Sequence, residues 1–407
     1  MIPTVFAALL LAFGVAYAVQ LGMWARGFAR EAARTDALAP LAEDALPTIT
    51  VVVAARDEED TIGPCVDSIL ATDYPAGKLE VIVVDDDSAD ATADVVRQRM
   101  TARHALAPAG DELHPDDWDE AEGGGRLRLI HIPEDRRRDR AHKKAAIEKA
   151  VAHARGELIL TTDADCIVPP GWPRALAAQF EGPEIAFVSG PVAYTVRPTD
   201  GLFVKLQAMD FFGVMACGAG AIGCGRPHLA NGANVGYRRE TFQALGGFSG
   251  IDHVTSGDDE LLMQKIAYTT PLDIRFCADP GAVVTTEPVR TVKAFVHQRK
   301  RWASKSLNYR PSLQRMILTI GAFYFLITAA YLAVWVWPVL VPALLAGLGL
   351  KALGDLAAMA PAARRFGRLR LLWVYPLHLL LHSPHSLMVG ILGPLGGFEW
   401  KGRELDQ

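Results

Sequence analysis

Gly156-Glu157-Leu158-Ile159-Leu160-Thr161-Thr162-Asp163-Ala164-Asp165 reads as a buried strand that ends on two acids. On an extended backbone, residues i and i+2 point the same way, so Asp163 and Asp165 converge on one hard cation. Mg2+ or Mn2+ prefers such oxygen ligands and often bridges carboxylates to a diphosphate. Taken alone, a D-x-D is more often just a solvated turn, so its neighbours decide. Upstream, Ile49 to Ala55 and Leu79 to Val84 are apolar, β-branched runs, as strands buried on both faces should be. Leu127 to Ile132 is a third such run. Helical patterns over 60–70, 89–100 and 143–154 separate them. Thr101 to Gly125 is polar and acidic, and reads as a surface insertion. Strand-helix alternation predicts an α/β fold with a mainly parallel sheet, whose ligands bind beyond the carboxyl ends of the strands.

The acids obey that rule. The first strand runs into Arg56-Asp57-Glu58-Glu59, the second into Asp85-Asp86-Asp87-Ser88-Ala89-Asp90, and the fourth into Asp163-Ala164-Asp165. Mutual repulsion makes such a cluster costly unless a cation or hydrogen-bond donors compensate it.

The flanks are of another kind. Half of the 407 residues are hydrophobic, unevenly placed, and the formal net charge of −5 gives no reason to expect a nucleic-acid partner. Val5 to Trp24 is almost uncharged and close to the ~20 residues that cross a bilayer. Arg26, Arg30 and Arg34 follow it, which predicts an uncleaved anchor (1–25) with a cytoplasmic domain after it. Met316 to Trp337 would span. Pro338 to Leu353 is shorter, with Lys351 and Asp355 near its end. Leu371 to Leu395 holds Pro376, Pro384, His378, His382 and His385, and reads as broken, re-entrant or interface-lying. The predicted organisation is therefore a cytoplasmic domain over 47–311, two or three membrane segments over 316–395, and a tail over 396–407. Leu202 to Ala216 reads as an interfacial helix or as core. Five cysteines form no C-x-x-C pair, as in a reduced compartment.

In this order the motifs resemble those of the family-2 glycosyltransferases, the inverting, sugar-nucleotide-dependent enzymes of the GT-A fold. The resemblance covers about Pro47 to Trp302. Ala54-Ala55-Arg56-Asp57-Glu58 stands where these enzymes carry a P-x-x-N-E-like turn beside the nucleotide, with Asp57 for the usual Asn. Val84-Asp85-Asp86-Asp87-Ser88-Ala89-Asp90 is similar to their V-D-D-x-S-x-D segment, and Lys143-Lys144-Ala145-Ala146-Ile147 to K-x-x-A-L. Asp163-Ala164-Asp165 matches the D-x-D metal motif. Gly257-Asp258-Asp259-Glu260-Leu261-Leu262 resembles E-D-x-x-L, with Asp258 for the usual Glu. Gln298-Arg299-Lys300-Arg301-Trp302 matches Q-x-x-R-W, a mark of the membrane-bound, cellulose-synthase-like and ceramide-glucosyltransferase-like branch. Ala230 to Arg239 is similar to a G-x-N-x-x-x-R-R segment, read as acceptor loop or as plain turn and strand.

The resemblance implies the site residues. Ala55, Arg56, Glu58, Asp86, Asp87, Lys143 and Asp163 would contact the nucleotide. Asp165 and Asp163 would hold Mg2+ or Mn2+. Asp259, or Asp258 beside it, would be the general base. Gln298, Arg301 and Trp302 would meet the donor diphosphate or the acceptor. The implied partners are a nucleotide-sugar, UDP-linked in the common case, a lipid or membrane-associated acceptor, and the bilayer of the cell membrane. Rival readings are a processive polysaccharide synthase, a GT-A-like nucleotidyltransferase, and an inactive sugar-nucleotide-binding membrane protein.

Overall fold

The computed structural model describes residues 1–104, 121–122, 126–132, 142–254, 257–304, 309–392, 398–400 and 403–405. Most of the expected insertion over 101–125, the basic run Arg136 to Arg140, and much of the tail lie outside the described residues. In chain order the elements are α1 (Ile2–Ala37), β1 (Ile49–Ala55), α2 (Ile62–Leu70), β2 (Leu79–Asp85), α3 (Thr92–His104), β3 (Ala121–Glu122), β4 (Leu127–His131) and α4 (His142–His153). There follow β5 (Leu158–Asp163), β6 (Cys166–Ile167), α5 (Trp172–Ala177), β7 (Ile185–Ser189), β8 (Val192–Tyr194), α6 (Leu202–Gly223), β9 (Val235–Arg238), α7 (Arg239–Ala244) and α8 (Glu260–Thr269). The last are β10 (Asp273–Phe276), β11 (Val284–Thr286), α9 (Val292–Ser304), α10 (Pro311–Val336), α11 (Val341–Arg365) and α12 (Tyr375–Leu392).

The chain divides into two compact units. The first, Ala32–Ala193 with Ala230–Glu287, holds an eight-stranded sheet in the order β10-β7-β9-β5-β1-β2-β4-β3. Pairing is parallel from β5 through β1 and β2 to β4, and between β10 and β7. Only β9, against β5 and β7, and the short β3 run antiparallel. The β-branched runs are the reason for the centre of this sheet. Val51, Val53, Val81, Ile82, Val83, Leu129, Ile159 and Leu160 are all fully buried, as strands covered on both faces require. The register brings Ala55 opposite Asp85 and Ala54 opposite Asp163. The three acid-bearing strand ends are therefore neighbours.

The second unit comprises Met1–Glu31, Tyr194–Leu229 and Pro288–Gln407. Among the described residues, four helical stretches are long and apolar enough to cross a membrane: Ile2–Ala37, Leu202–Gly223, Pro311–Val336 and Pro338–Arg365. Two differ from expectation. The helix at Leu202 continues to Gly223, and the stretch read as ending near Leu353 runs on to Arg365. Lys351 and Asp355 do not stop it because their charges meet each other, one helical turn apart, at 2.5 Å. Tyr17 and Tyr375 hydroxyls also donate to Asp355, at 2.5 and 3.0 Å, so the buried carboxylate is paired rather than orphaned.

α1 and α6 cross backbone to backbone. A Cβ on Gly220 would lie 2.3 Å from the Trp24 carbonyl oxygen, and one on Gly223 would lie 2.1 Å from that of Gly27. Small residues permit this approach, as in packed membrane helices. Gly220→Val is expected to lower the thermal unfolding temperature in detergent, because a backbone has to move and overpacking costs about 1–3 kcal/mol. Gly22→Ala, whose Cβ meets nothing within 4 Å, serves as the unaffected control.

Candidate active site

The loops after β1 and β2 are bolted together. Arg56 Nη1 donates to the Asp86 carbonyl oxygen at 2.5 Å, and the Asp57 amide to Ser88 Oγ at 3.0 Å. Asp57 Oδ1 accepts from the Ala89 amide at 2.8 Å, and the Glu58 amide donates to Thr92 Oγ1 at 2.8 Å. Asp57 and Asp87 have φ of 50° and 56°, a left-handed conformation that aspartate tolerates and most residues resist. Strain of this kind collects at functional loops. Two of the acids here are scaffolding. Asp85 accepts from Ser88 Oγ at 2.5 Å and contacts His131 Nδ1 at 2.8 Å. Asp90 accepts from the Thr92 and Glu59 amides. Slight burial would raise its pKa, but these hydrogen bonds hold it below the usual carboxylate range. Asp86 sits with its amide donating to the Ala55 carbonyl at 2.9 Å, at the joint of the two strands.

Across this edge a cation links distant acids. Lys143 Nζ, from the first turn of α4, lies 2.7 Å from Asp163 Oδ1 and 3.1 Å from Asp258 Oδ2. Burial would lower the lysine pKa, but Asp163 first and then Asp258 raise it well above its ordinary value. Asp259 caps α8: its Oδ1 accepts from the Glu260 amide at 2.7 Å, and its Oδ2 from the Gly232 amide at 2.6 Å. Gly232 closes the ring. A Cβ there would meet Asp258 Oδ2 and Lys143 Nζ at 3.2 Å each, and Asp259 Oδ2 at 3.4 Å. Gly232→Ala is expected to cost under about 1 kcal/mol of stability, since flexible ends can give way by tenths of an ångström. Any reaction carried out at this ring should slow roughly tenfold, because reacting groups tolerate little displacement. Activity equal to wild type would show that this ring is not the reacting centre.

The segment around Gly232 is held by bracing hydrogen bonds. Asn234, fully buried, donates from Nδ2 to the Pro191 and Ala282 carbonyls at 2.8 Å each, and its Oδ1 accepts from Trp172 Nε1 at 2.8 Å. Arg238 donates to the Ile185 and Gly182 carbonyls. These residues form a turn and then β9.

The D-x-D pair comes together differently from the expected alternation. β5 ends at Asp163, and Asp165 follows within a turn. Asp163, Asp165 and Cys166 offer ligand atoms within 4.8 Å of one another. Asp165 is raised above the usual carboxylate pKa, first by burial, then by the charges of Asp163 and Glu58. Its Oδ2 accepts from Thr286 Oγ1 at 3.2 Å. Burial and then the two aspartates raise the Cys166 thiol too, so it offers no thiolate. What remains is a carboxylate pair short of positive charge, a donor set that fits a hard divalent cation such as Mg2+ or Mn2+.

Gln298, Arg301 and Trp302 lie on α9, in the second unit. Gln298 Oε1 accepts from the Tyr194 hydroxyl at 3.1 Å. The Trp302 ring is 5.6 Å from Phe211, which stacks on Tyr194 at 4.4 Å. Arg301 is half-buried. Two further positions passed unnoticed in the sequence. Arg299 lies 4.3 Å over the Trp302 ring and pairs with Asp210 of α6 at 2.7 Å. Nothing local in the chain points from one to the other.

Two family models match. Residues 50–212 match Glycosyl transferase family 2, and residues 132–404 match Glycosyl transferase family 21. The chain belongs to glycosyl transferase family 21. Its first half carries the family-2 type of glycosyltransferase domain, on the GT-A fold. An N-acetylglucosaminyltransferase from Rhizobium meliloti is 26% identical over 279 residues, 65% of this chain and 57% of that protein. A beta-monoglucosyldiacylglycerol synthase from Synechocystis is 26% identical over 264 residues, 63% of this chain and 47% of that protein. The chain thus matches about half the length of these relatives. A mannosyltransferase from Pyrobaculum calidifontis, solved with GDP-Man and Mn2+, has the same fold. It is 21% identical, with a TM-score of 0.52 over 95% of this chain and 99% of that one.

Proposed function

We propose that this family-21 glycosyltransferase moves a sugar from a nucleotide-sugar, UDP-linked, to a hydroxyl of a lipid or membrane-associated acceptor, with inversion. The observation that carries the reading is the Asp163–Lys143–Asp258 chain, which ties the D-x-D carboxylates to the D-D of α8 in one ion-pair network. Donor phosphate and acceptor proton can then be handled a few ångströms apart. Mg2+ or Mn2+, held by Asp165 and Asp163, would supply positive charge to the leaving diphosphate. Ala55, Arg56, Glu58, Asp86 and Asp87 border the nucleotide at the joined strand ends. Lys143 adds a fixed cation beside the phosphates. Asp259, held by two backbone amides, takes the proton of the attacking hydroxyl, with Asp258 as its charge-paired neighbour. Gln298, Arg301 and Trp302 of α9 would be further contacts of the donor or the acceptor, Trp302 through its apolar ring.

The membrane assignment rests on the four apolar stretches and on the basic residues Arg26, Arg30 and Arg34 in the carboxyl-terminal part of α1 and Arg364 and Arg365 in the last turn of α11, which favour a cytoplasmic side for the catalytic unit in the cell membrane. The lipid acceptor is in keeping with the glucosyldiacylglycerol relative. Membranes containing the protein, given a panel of radiolabelled nucleotide-sugars and then extracted, should yield labelled lipid and free nucleoside diphosphate. Label only in polymer, or release of pyrophosphate, would overturn the reading. Asp165→Ala should abolish transfer that depends on added metal. Full activity of the wild type in chelator would refute the metal role.

A further inference from the structure

We infer that the second unit holds a transition-metal site of its own, formed by Asp210 of α6 with His378 and His382 of α12. The three side chains present ligand atoms within 4.8 Å of one another. His382 Nε2 and His378 Nε2 stand 3.5 and 3.8 Å from the same oxygen, Asp210 Oδ1. These separations are at or beyond the limit of a hydrogen bond. They are close to the edge of a tetrahedron whose metal–ligand bonds are ~2.0–2.1 Å, roughly 3.4 Å. The histidines are one helical turn apart and their rings stack at 4.6 Å, so both point to one side of α12.

Three further observations support an ion here. His378 is buried, and among the described residues neither of its ring nitrogens has a partner within hydrogen-bond distance; His382 Nδ1 has none either. Buried polar atoms in that state are costly, and a ligand relieves them. Arg299 occupies the other carboxylate oxygen, Asp210 Oδ2, at 2.7 Å, which orients Oδ1 toward the imidazoles. The trio also lines a cavity of about 230 Å3 together with Tyr324 and Asp355, which leaves a coordination position open. Two imidazoles and one carboxylate select Zn2+, Co2+ or Fe2+ over Mg2+. The cavity leaves room for a water molecule as a fourth ligand.

Cobalt tests this without any sugar substrate, and independently of the proposed function. The untagged full-length chain in detergent, stripped with chelator, is titrated with Co2+. About one equivalent is expected to give the intense visible absorption of tetrahedral Co2+, discharged by Zn2+. Asp163→Ala and Asp165→Ala should retain the band. His378→Gln and His382→Gln, read separately and each checked for a wild-type gel-filtration profile, should weaken Co2+ binding at least ~100-fold. Either variant suffices if the other fails to fold. No tetrahedral band in the wild type, a band that survives both histidine changes, or one lost with Asp165→Ala overturns the inference.

Discussion

Asp259→Asn is expected to lower turnover by roughly 10²–10⁴-fold, the span a positioned general base contributes, while nucleotide binding stays near wild type. The variant is chosen because asparagine caps a helix about as well as aspartate. Its amide oxygen can keep the bond from the Glu260 amide at the start of α8. Its NH2 group must then face the Gly232 amide, which now donates to Oδ2. One lost hydrogen bond of this kind costs about 1 kcal/mol, so folding should survive. Single-turnover rates and nucleotide affinity, measured together, separate chemistry from binding. Near-normal turnover would move the base to Asp258. In that case Asp258→Asn, which also releases Lys143, becomes the damaging change.

Lys143→Met is expected to destabilise the protein when no divalent ion is added. It removes a cation that lies between Asp163 and Asp258, and leaves those carboxylates beside Asp165 and Asp259. Breaking a fully buried pair costs ~3–5 kcal/mol. The Lys143 side chain is 28% exposed, so about 2 kcal/mol is expected. Divalent ions should restore part of that loss, because a cation between the carboxylates then does the lysine's work. Thermal unfolding with and without Mn2+ should thus show a larger metal-induced rise in Lys143→Met than in wild type. An equal rise in both would mean that lysine and metal do not share the same acids.

Both predictions depend on residues visible in the chain but on contacts that are not. The runs Ile49–Ala55 and Leu79–Asp85 declare themselves as strands because burial on both faces demands unbroken apolar, β-branched sequence. The acids after them follow from the rule that α/β sheets bind ligands at strand ends. The same reasoning misjudged how Asp163 and Asp165 converge, since a turn and not strand alternation brings them together. It also shortened the helix through Lys351 and Asp355, because two charges look prohibitive until they are seen to neutralise each other.

By itself, then, the sequence determined the sheet, the acid-bearing edge and the apolar flanks, since each is written in local composition and period. Tertiary structure alone decided which acids do what. Asp85 and Asp90 brace loops, Asn234 braces the sheet, and Gly232 closes the ring around Lys143. Asp210 meets residues 89, 168 and 172 positions away, at Arg299, His378 and His382. Such pairings depend on how helices pack, and no periodicity in the chain encodes which face of α6 will meet which face of α12.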